Sequence, residues 1–412
     1  MAHAIMLAKI GILTDEELNI IKKGLKEIYD LWKKGKFHIE KEDEDVHTRI
    51  ENYLTEKYGE PGQKIHTGRS RNDQVLLDLR LYMKDELLEV SKEVVNLLYT
   101  LLHFSKKYLL VPMPGYTHTR IAMPGSVGLW SHALFEALFD EINLIIYIYN
   151  MIDQSPLGSA AGYGVPLPLD RELVSDLLGF SRVQKNVIYT QNSRGMFELL
   201  IVGALERIML YLSRYAQDLI YFTMPQFGYF TLPLEILSGS SIMPQKQNPD
   251  MLELMRAKTM VLSSWRMALS GIVAKLPTGY ARDLQLTKGY LMSAIDTTKE
   301  SIKVINKVFE GLKVNEDALK KDMPKEIFAT DYALSMVEKE GVPFRTAYRE
   351  VAKNLDNLTP LDPEQVIKER THLGTTGDLR IDEDRKKLIQ KEKKIEGLKE
   401  EYHKTLKTLL DL

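Results

Sequence analysis

The sequence predicts an all-α fold built from long helices packed on one another. Long segments lack Gly and Pro, and their apolar residues recur at steps of three and four instead of alternating. The chain has 412 residues, of which 44% are hydrophobic. A chain of this size can bury a large core, and two or three subdomains are expected.

Three apolar segments predict the longest helices. Residues 87–102 repeat Leu and Val at a seven-residue spacing, which places them along one helical face. Residues 127–148 are the most membrane-like stretch, but His132, Glu136 and Asp140 interrupt it. We therefore expect a buried helix there and not a membrane span. A third segment carries an apolar seam with 4-3-4-3-4 spacing, which requires a neighbouring helix: Ile201, Leu205, Ile208, Leu212, Tyr215 and Leu219.

Gly and Pro divide the helices at residues 58–71, 111–125, 231–249 and 276–283. We expect one helix to open near Pro124 and another at Asn248, which can cap it, with Pro249 in the first helical position. After Gly311 the chain has mixed charge. Its Lys-rich stretch at 385–399 contains enough Glu to predict a solvated helix face instead of a nucleic-acid patch.

Composition excludes several classes of function. The 55 Lys and Arg nearly balance the 57 Asp and Glu, so no overall field recruits nucleic acid or an anionic membrane, and a small-molecule partner is favoured. Without Cys the chain has no disulfide, thiolate metal site or cysteine nucleophile. This composition fits a reducing compartment, and residues 1–13 lack the pattern of a signal peptide, so a cytoplasmic protein is expected. His47 and His66 lack metal-ligand spacing, which predicts no metal.

One loop carries the strongest chemical signal. Residues 239–250 read Gly-Ser-Ser-Ile-Met-Pro-Gln-Lys-Gln-Asn-Pro-Asp and lead into a helix. A helix amino terminus with a nearby lysine, Lys246, suits a doubly charged carboxylate. Ser240 could remove a carbon-bound proton only if loop amides and Lys246 stabilised its oxyanion. The residues alone support a mobile connection before a capped helix about equally well.

Three further segments combine polar groups with turns. They read His-Thr-Gly-Arg-Ser-Arg-Asn-Asp-Gln at 66–74, Gly-Tyr-Thr-His-Thr at 115–119 and Tyr-Ala-Arg-Asp-Leu-Gln-Leu-Thr-Lys at 280–288. Taken alone, the first favours an exposed capped turn, the lone His118 a structural role, and the third a polar helix surface. Glu253 alone would be an acid that favours the first turns of a helix.

These four segments, in this order, resemble the signature regions of the fumarase and aspartase superfamily, and residues 66–74 resemble its argininosuccinate lyase branch. Residues 329–331 and 341–345 resemble the start of the family's C-terminal domain. The similarity therefore extends along most of the chain.

The resemblance implies a role for individual residues. Ser240 would be the catalytic base, with Lys246 and Asn248 stabilising the aci-carboxylate that forms when the proton leaves. His118, oriented by Glu253, would assist proton transfer to the departing nitrogen, a task that suits imidazole because it titrates near neutral pH. The implied substrate-binding residues are Asn72, Thr117, Asn248, Tyr280, Gln285 and Lys288.

The family fold implies three helical domains, at residues 1–68, 69–318 and 319–412, with the middle domain forming the core of a homotetramer. Each active site would combine segments of three chains, and a monomer would be inactive. The implied reaction is β-elimination of argininosuccinate to arginine and fumarate in arginine biosynthesis. It would need no cofactor, because the substrate carboxylate is the electron sink.

Three departures from the family pattern keep two alternatives open. Residues 1–4 align with the interior of the family's first domain, so a leading segment that includes a substrate-contacting serine is expected to be missing. Residues 161–168 and 189–198 also differ from the family. The chain could act on another fumarate-yielding substrate or be a catalytically silent homologue, although intact Ser240, His118, Lys246 and Glu253 argue against the second.

Overall fold

The computed structural model of the protein describes residues 1–411, and helices account for most of them. The predicted all-α fold class is confirmed. Four helices come first: α1 (Ala2–Lys9), α2 (Asp15–Lys33), α3 (Val46–Tyr58) and α4 (Glu60–Lys64). Helix α2 begins where Thr14 and Glu17 form a capping box. These helices pack around an apolar cluster that also includes Leu157 and Phe180.

Five long helices then form a central bundle. In chain order the elements are α5 (Arg71–Lys107), α6 (Val127–Ile152), the short α7 (Arg171–Leu177) and α8 (Val187–Asn192), and the long α9 (Met196–Phe222), α10 (Asp250–Val273) and α11 (Thr287–Gly311). The three predicted long helices are confirmed, and the seam from Ile201 to Leu219 is buried throughout. Helix α6 is part of the buried core, as predicted for residues 127–148.

The bundle has two ends, which we call the near end and the far end. Helices α5 and α6 are antiparallel, since Arg80 donates to the Ile152 carbonyl near one end while Gly128 donates to the Tyr108 carbonyl near the other. At the near end, α5, α9 and α11 begin and α6 and α10 end. At the far end, α6 and α10 begin, and Trp130 packs on aromatic rings of α9 and α11.

Short strands form hairpins and links at the far end. Strands β1 (Pro112–Thr117) and β2 (Arg120–Ser126) pair with each other, as do β3 (Phe230–Thr231) with β6 (Lys313–Val314), and β4 (Ser238–Gly239) with β5 (Gln247–Asn248). The helix expected near Pro124 begins at Val127, because Pro124 belongs to β2 and Ser126 caps α6 by accepting from Leu129 N. The expectation that Asn248 caps a helix is wrong, because Asn248 belongs to β5 and Pro249 precedes α10 without a side-chain cap.

The remaining helices are α12 (Glu316–Lys321), α13 (Ala329–Glu340), α14 (Phe344–Lys353), α15 (Pro363–Lys368) and α16 (Ile381–Asp411). Helix α16 runs back antiparallel along α5 and buries Leu388, Ile395 and Tyr402 in the bundle core, at a seven-residue spacing. Its Lys-rich stretch is otherwise largely solvated, as predicted. The division into three domains at residues 68 and 318 stays a prediction. No helix within residues 1–411 has the length and hydropathy that a membrane crossing requires.

Candidate active site

The serine loop forms the tip of a hairpin at the far end of the bundle. Strand pairing joins Ser238 to Asn248 and Gly239 to Gln247, so the two strands hold residues 240–246 between them. The Ser238 hydroxyl donates to the Asp250 carboxylate in the first turn of α10. The hairpin is therefore fixed to the amino terminus of a long helix.

Backbone amides of this loop point at the half-buried Ser240 hydroxyl. Its oxygen accepts hydrogen bonds from the amides of Met243 at 3.1 Å and Ile242 at 3.4 Å. Two donors held at one oxygen stabilise negative charge there, which is the arrangement that a serine base requires. The ammonium of Lys246 donates instead to the side-chain oxygen of Asn248 at 2.5 Å. Lys246 and Asn248 thus form a joined pair in the same loop.

His118 lies in a tight turn at the tip of the β1–β2 hairpin. Thr117 pairs with Arg120, and the two turn residues both have left-handed backbone angles, with φ of 52° at His118 and 60° at Thr119. Left-handed geometry is uncommon for residues other than Gly, and for the β-branched Thr119 it is strained. Both Thr117 and His118 are exposed. The hairpin therefore presents the imidazole to solvent at the cost of backbone strain.

This hairpin is anchored close to its tip by phenol groups. The hydroxyls of Tyr116 and Tyr229 lie 2.7 Å apart, and Tyr229 donates to the Asp322 carboxylate at 3.0 Å. Burial raises the pKa of both phenols, so they stay protonated and can keep donating. This chain of hydrogen bonds connects β1 to the loop after α9 and to the end of α12.

The predicted pairing of His118 with Glu253 is not formed within one chain. Glu253 lies exposed in the first turn of α10, where its amide donates to the Pro249 carbonyl. Among the described residues, no hydrogen bond or ion pair joins the side chains of His118 and Glu253. The pairing thus stays a prediction that requires another chain or a movement of the hairpin.

A second group of predicted residues meets at the near end. Gln285 donates to the Tyr280 hydroxyl at 2.9 Å, and Lys288 donates to the Gln285 side-chain oxygen at 3.1 Å. Gln285 and Lys288 line a cleft of 570 Å³ together with Arg71 and His47. The cleft therefore presents an amide and an ammonium group that can bind a carboxylate. Its Arg71 guanidinium already pairs with the Asp45 carboxylate at 2.9 Å, and Asp78 also lines it.

Asn72 enters this near end with the first turn of α5. Ser70 caps the helix, and Asp73 completes the capping box. The buried Asp73 carboxylate also accepts from the amides of Gly158 and Ala160, at 3.0 and 2.8 Å. These bonds fix the helix start, so Asn72 is held next to Arg71 at the edge of the cleft. Among residues 1–411, no hydrogen bond joins the Asn72 side chain to Tyr280 or Lys288.

Sequence comparison identifies the family. Residues 1–262 match the family whose description is lyase. The argininosuccinate lyase of Thermotoga neapolitana is 47% identical over 354 residues, which are 86% of this chain and 88% of that protein. The argininosuccinate lyase of Bacteroides thetaiotaomicron is 42% identical over 383 residues, which are 93% of this chain and 85% of that protein. The chain belongs to the argininosuccinate lyase family.

Two solved structures share the fold of this argininosuccinate lyase family member. EDDS lyase in complex with formate has a TM-score of 0.88 at 22% identity, covering 100% of this chain and 88% of its own. Class II fumarase from Schistosoma mansoni has a TM-score of 0.72 at 17% identity, covering 88% of both chains. At these identities the likeness concerns the fold alone, and it agrees with the predicted helical bundle.

The predicted site residues of this argininosuccinate lyase family member lie at opposite ends of the bundle. Ser240, His118 and Glu253 are at the far end, whereas Asn72 and the Tyr280 group are at the near end. Helix α10, which connects the two ends, has 24 residues and is therefore about 36 Å long. A single chain does not bring all the predicted residues together.

Arg194 is a candidate that the sequence analysis missed. Its guanidinium carbon lies 5.2 Å from the centroid of the Tyr280 ring, and the side chain is buried. None of its three guanidinium nitrogens has a hydrogen-bond partner among the described residues. Burial lowers its pKa, because desolvation disfavours the charged form. In the sequence, the feature that could have pointed to Arg194 is its position within residues 189–198, a segment that departs from the family pattern.

Proposed function

We propose that this chain cleaves argininosuccinate to arginine and fumarate by β-elimination. The observation that carries the proposal is the Ser240 hydroxyl, which two loop amides hold in place within the same loop as the Lys246–Asn248 pair. Family membership supports the same substrate, because the relatives that match most of the chain are named argininosuccinate lyases.

Ser240 acts as the base that removes the proton β to the leaving nitrogen. A serine hydroxyl is a weak base, so its alkoxide form must be stabilised before it can accept a carbon-bound proton. The amides of Ile242 and Met243 meet this need because they already point at the oxygen.

The carbanion that results is stabilised through the adjacent carboxylate. Its charge moves onto the carboxylate oxygens, where the Lys246 ammonium and the Asn248 amide donate hydrogen bonds in place of the bond they now share. The amino terminus of α10 adds the positive end of a helix dipole. No cofactor is needed, because the substrate carboxylate holds the electron pair.

Arginine leaves when its guanidino nitrogen gains a proton, which His118 supplies directly or through water. The exposed turn lets His118 reach into a site formed with another chain, where Glu253 orients the ring and Thr117 contacts the substrate. The polar ends of argininosuccinate are bound by the near-end groups, Asn72, Tyr280, Gln285 and Lys288.

We propose a homotetramer whose chains contact one another along α10. This helix exposes an apolar stripe of Leu254, Met260, Val261 and Met267, with exposed fractions of 52%, 66%, 47% and 76%. A long exposed apolar face marks an interaction surface, and packing α10 helices of several chains together buries it. The assembly also supplies the near-end residues of one chain to the far-end residues of another.

We place the enzyme in the cytoplasm. The lack of Cys fits a reducing compartment. The arginine that the proposed reaction releases is also consumed by cytoplasmic protein synthesis. A secreted fraction carrying the activity, found by fractionating the source cells, would contradict this placement.

Substitution of Ser240 tests the mechanism. Ser240→Ala removes the base but keeps the loop backbone, so we expect fumarate release to fall about a thousandfold. Thr346→Ala, at an exposed position of α14, serves as a control that should keep normal turnover. Fumarate is followed by its ultraviolet absorbance, and native mass confirms that both variants assemble. Near-normal turnover by Ser240→Ala would refute the assigned base.

A substrate panel tests the assignment of argininosuccinate. Argininosuccinate is compared with other amine adducts of fumarate at equal concentration. We expect the highest kcat/KM for argininosuccinate, because the near-end cleft supplies the side chains of Gln285 and Lys288 for its polar groups. Faster cleavage of another adduct would assign the chain a different substrate, and silence on all adducts would indicate an inactive homologue.

A further inference from the structure

Three potential metal-binding side chains meet where the last helix crosses the bundle. His132 and Glu136 are four residues apart and therefore share one face of α6, and Asp384 lies in the first turn of α16. One ligand atom of each residue lies within 4.8 Å of the others. The prediction of no metal considered His47 and His66, and this cluster is created only by the docking of α16 on the bundle.

The His132 ring points into this cluster and lacks a well-aligned hydrogen bond there. The side chain is 1% exposed, and its Nε2 has no hydrogen-bond partner among the described residues. Asp384 Oδ2 lies 3.2 Å from Nε2, but it does not lie along the direction that a hydrogen bond requires. Buried polar atoms are almost always satisfied in native proteins. The unpaired nitrogen thus indicates a missing partner at the position that the two carboxylates face.

The two carboxylates of the cluster carry more negative charge than the one nearby lysine neutralises, which favours a bound cation. Glu136 and Asp384 repel each other, and the basic group facing them is Lys387, which binds Asp384 Oδ1 at 2.8 Å. The other oxygen, Oδ2, faces His132. Lys387 is exposed, as is Glu136. Asp384 can therefore keep its bond to Lys387 and still offer an oxygen to an ion.

We propose that His132, Glu136 and Asp384 bind a divalent transition-metal ion that joins α16 to α6. One imidazole and two carboxylates are ligands that Zn²⁺, Co²⁺ and Mn²⁺ accept. Ligands of a tetrahedral Zn²⁺ ion lie about 3.4 Å apart, given bonds of about 2.1 Å, so the 4.8 Å cluster must contract slightly. The exposed Glu136 side chain can move by this amount, and water completes the coordination on its side.

Binding of Zn²⁺ alone to the chelator-treated protein tests the site. Isothermal titration should give one saturable Zn²⁺ ion per chain at this site, and the thermal midpoint of unfolding should rise when Zn²⁺ is present. Glu136→Gln and Asp384→Asn each remove one ligand from a side chain that is at least partly exposed, so both variants should fold. Each is expected to weaken Zn²⁺ binding at least tenfold and to remove most of the rise.

Two further variants separate this site from nonspecific binding. His403 and Asp85 form an exposed pair at 2.7 Å elsewhere along α16, and His403→Gln should leave the binding unchanged. Lys387→Met removes a competing cation and should tighten binding a few fold. If Glu136→Gln and Asp384→Asn bind Zn²⁺ as the unmodified protein does, or if that protein shows no saturable binding, the proposed site is wrong. Neither outcome bears on argininosuccinate cleavage, since the readouts are binding and unfolding.

Discussion

Arg194 lies behind the proposed site and can be tested separately from the residues that are proposed to touch substrate. Its guanidinium lies over the Tyr280 ring at 5.2 Å and has no hydrogen-bond partner among the described residues. We expect Arg194→Met to loosen Tyr280 and raise KM for argininosuccinate about tenfold, with a smaller change in kcat. Steady-state kinetics measures both constants.

Stability distinguishes this positioning role from a structural one. Replacing a buried cation that makes no hydrogen bond with an apolar side chain of similar length removes a desolvation cost. Arg80 still provides a positive charge near the buried Glu198 carboxylate, so the thermal midpoint of Arg194→Met should not fall. Arg194→Lys keeps a cation near the ring of Tyr280 and should recover part of the affinity. A lowered midpoint with unchanged KM would instead assign Arg194 to the fold.

At the scale of single residues, the sequence identified chemistry but not geometry. A serine hydroxyl is a weak base, so the proposed role of Ser240 predicted that loop amides would contact its oxygen. The amides of Ile242 and Met243 do so. The bond between Lys246 and Asn248 depends on side-chain torsions that no motif specifies. The contact of Arg194 with Tyr280 could not be predicted, because it joins segments far apart in the chain.

Helix α1 should make stability depend on pH through His3. The His3 ring is buried, and its Nε2 lies 2.9 Å from the Thr67 carbonyl oxygen. Burial, and to a smaller extent the positive charge of Arg69, lowers the pKa of His3 to about 3. A histidine with a lowered pKa in the folded state takes up its proton first in the unfolded state, so stability falls as pH drops below about 6.5. We expect His3 to cost about 2 kcal/mol between pH 7 and pH 5.

His3→Gln provides the matched control for this pH effect. The Gln amide can still donate to the Thr67 carbonyl but does not titrate. Urea unfolding at pH 7 and pH 5 should therefore show a smaller loss of unfolding free energy in the variant, by about 2 kcal/mol. Equal losses in both proteins would mean that His3 is solvated or already charged in the folded state.

Elements with strong periodicity were predictable, and the short paired ones were not. The apolar seam on α9 consists of six residues spread over residues 201–219, and it was predicted correctly. Each of these residues adds to the same helical face, which makes the pattern easy to recognise. The β1–β2 hairpin contains three Pro and two Gly and shows no alternation, so its sequence indicates only a break. Likewise Asn248 has a capping side chain, but pairing with Ser238 outcompetes the cap.

The whole molecule presents two separate groups of residues of the proposed site. Lys288 and its hydrogen-bonded neighbours are at the near end, and Ser240 is at the far end. The lengths of the bundle helices determine this separation and follow from the sequence pattern, since 24 residues of α10 extend about 36 Å. Which near-end group meets which far-end group depends instead on how the surfaces of separate chains pack together. The apolar pattern of a single chain does not specify that packing.

Mixing two inactive variants tests whether a site combines different chains. Ser240→Ala has an intact near end, whereas Lys288→Met has an intact far end. In tetramers assembled randomly from equal amounts of both, about a quarter of the sites combine an intact serine loop with an intact Lys288, so about a quarter of normal fumarate release should return. Ser240→Ala mixed with Lys246→Met should recover nothing, because both changes lie in the same loop and no chain offers an intact one. Hybrid tetramers of the first pair that stay inactive would mean that one site takes Ser240 and Lys288 from a single chain, which would require the two ends of the bundle to approach each other.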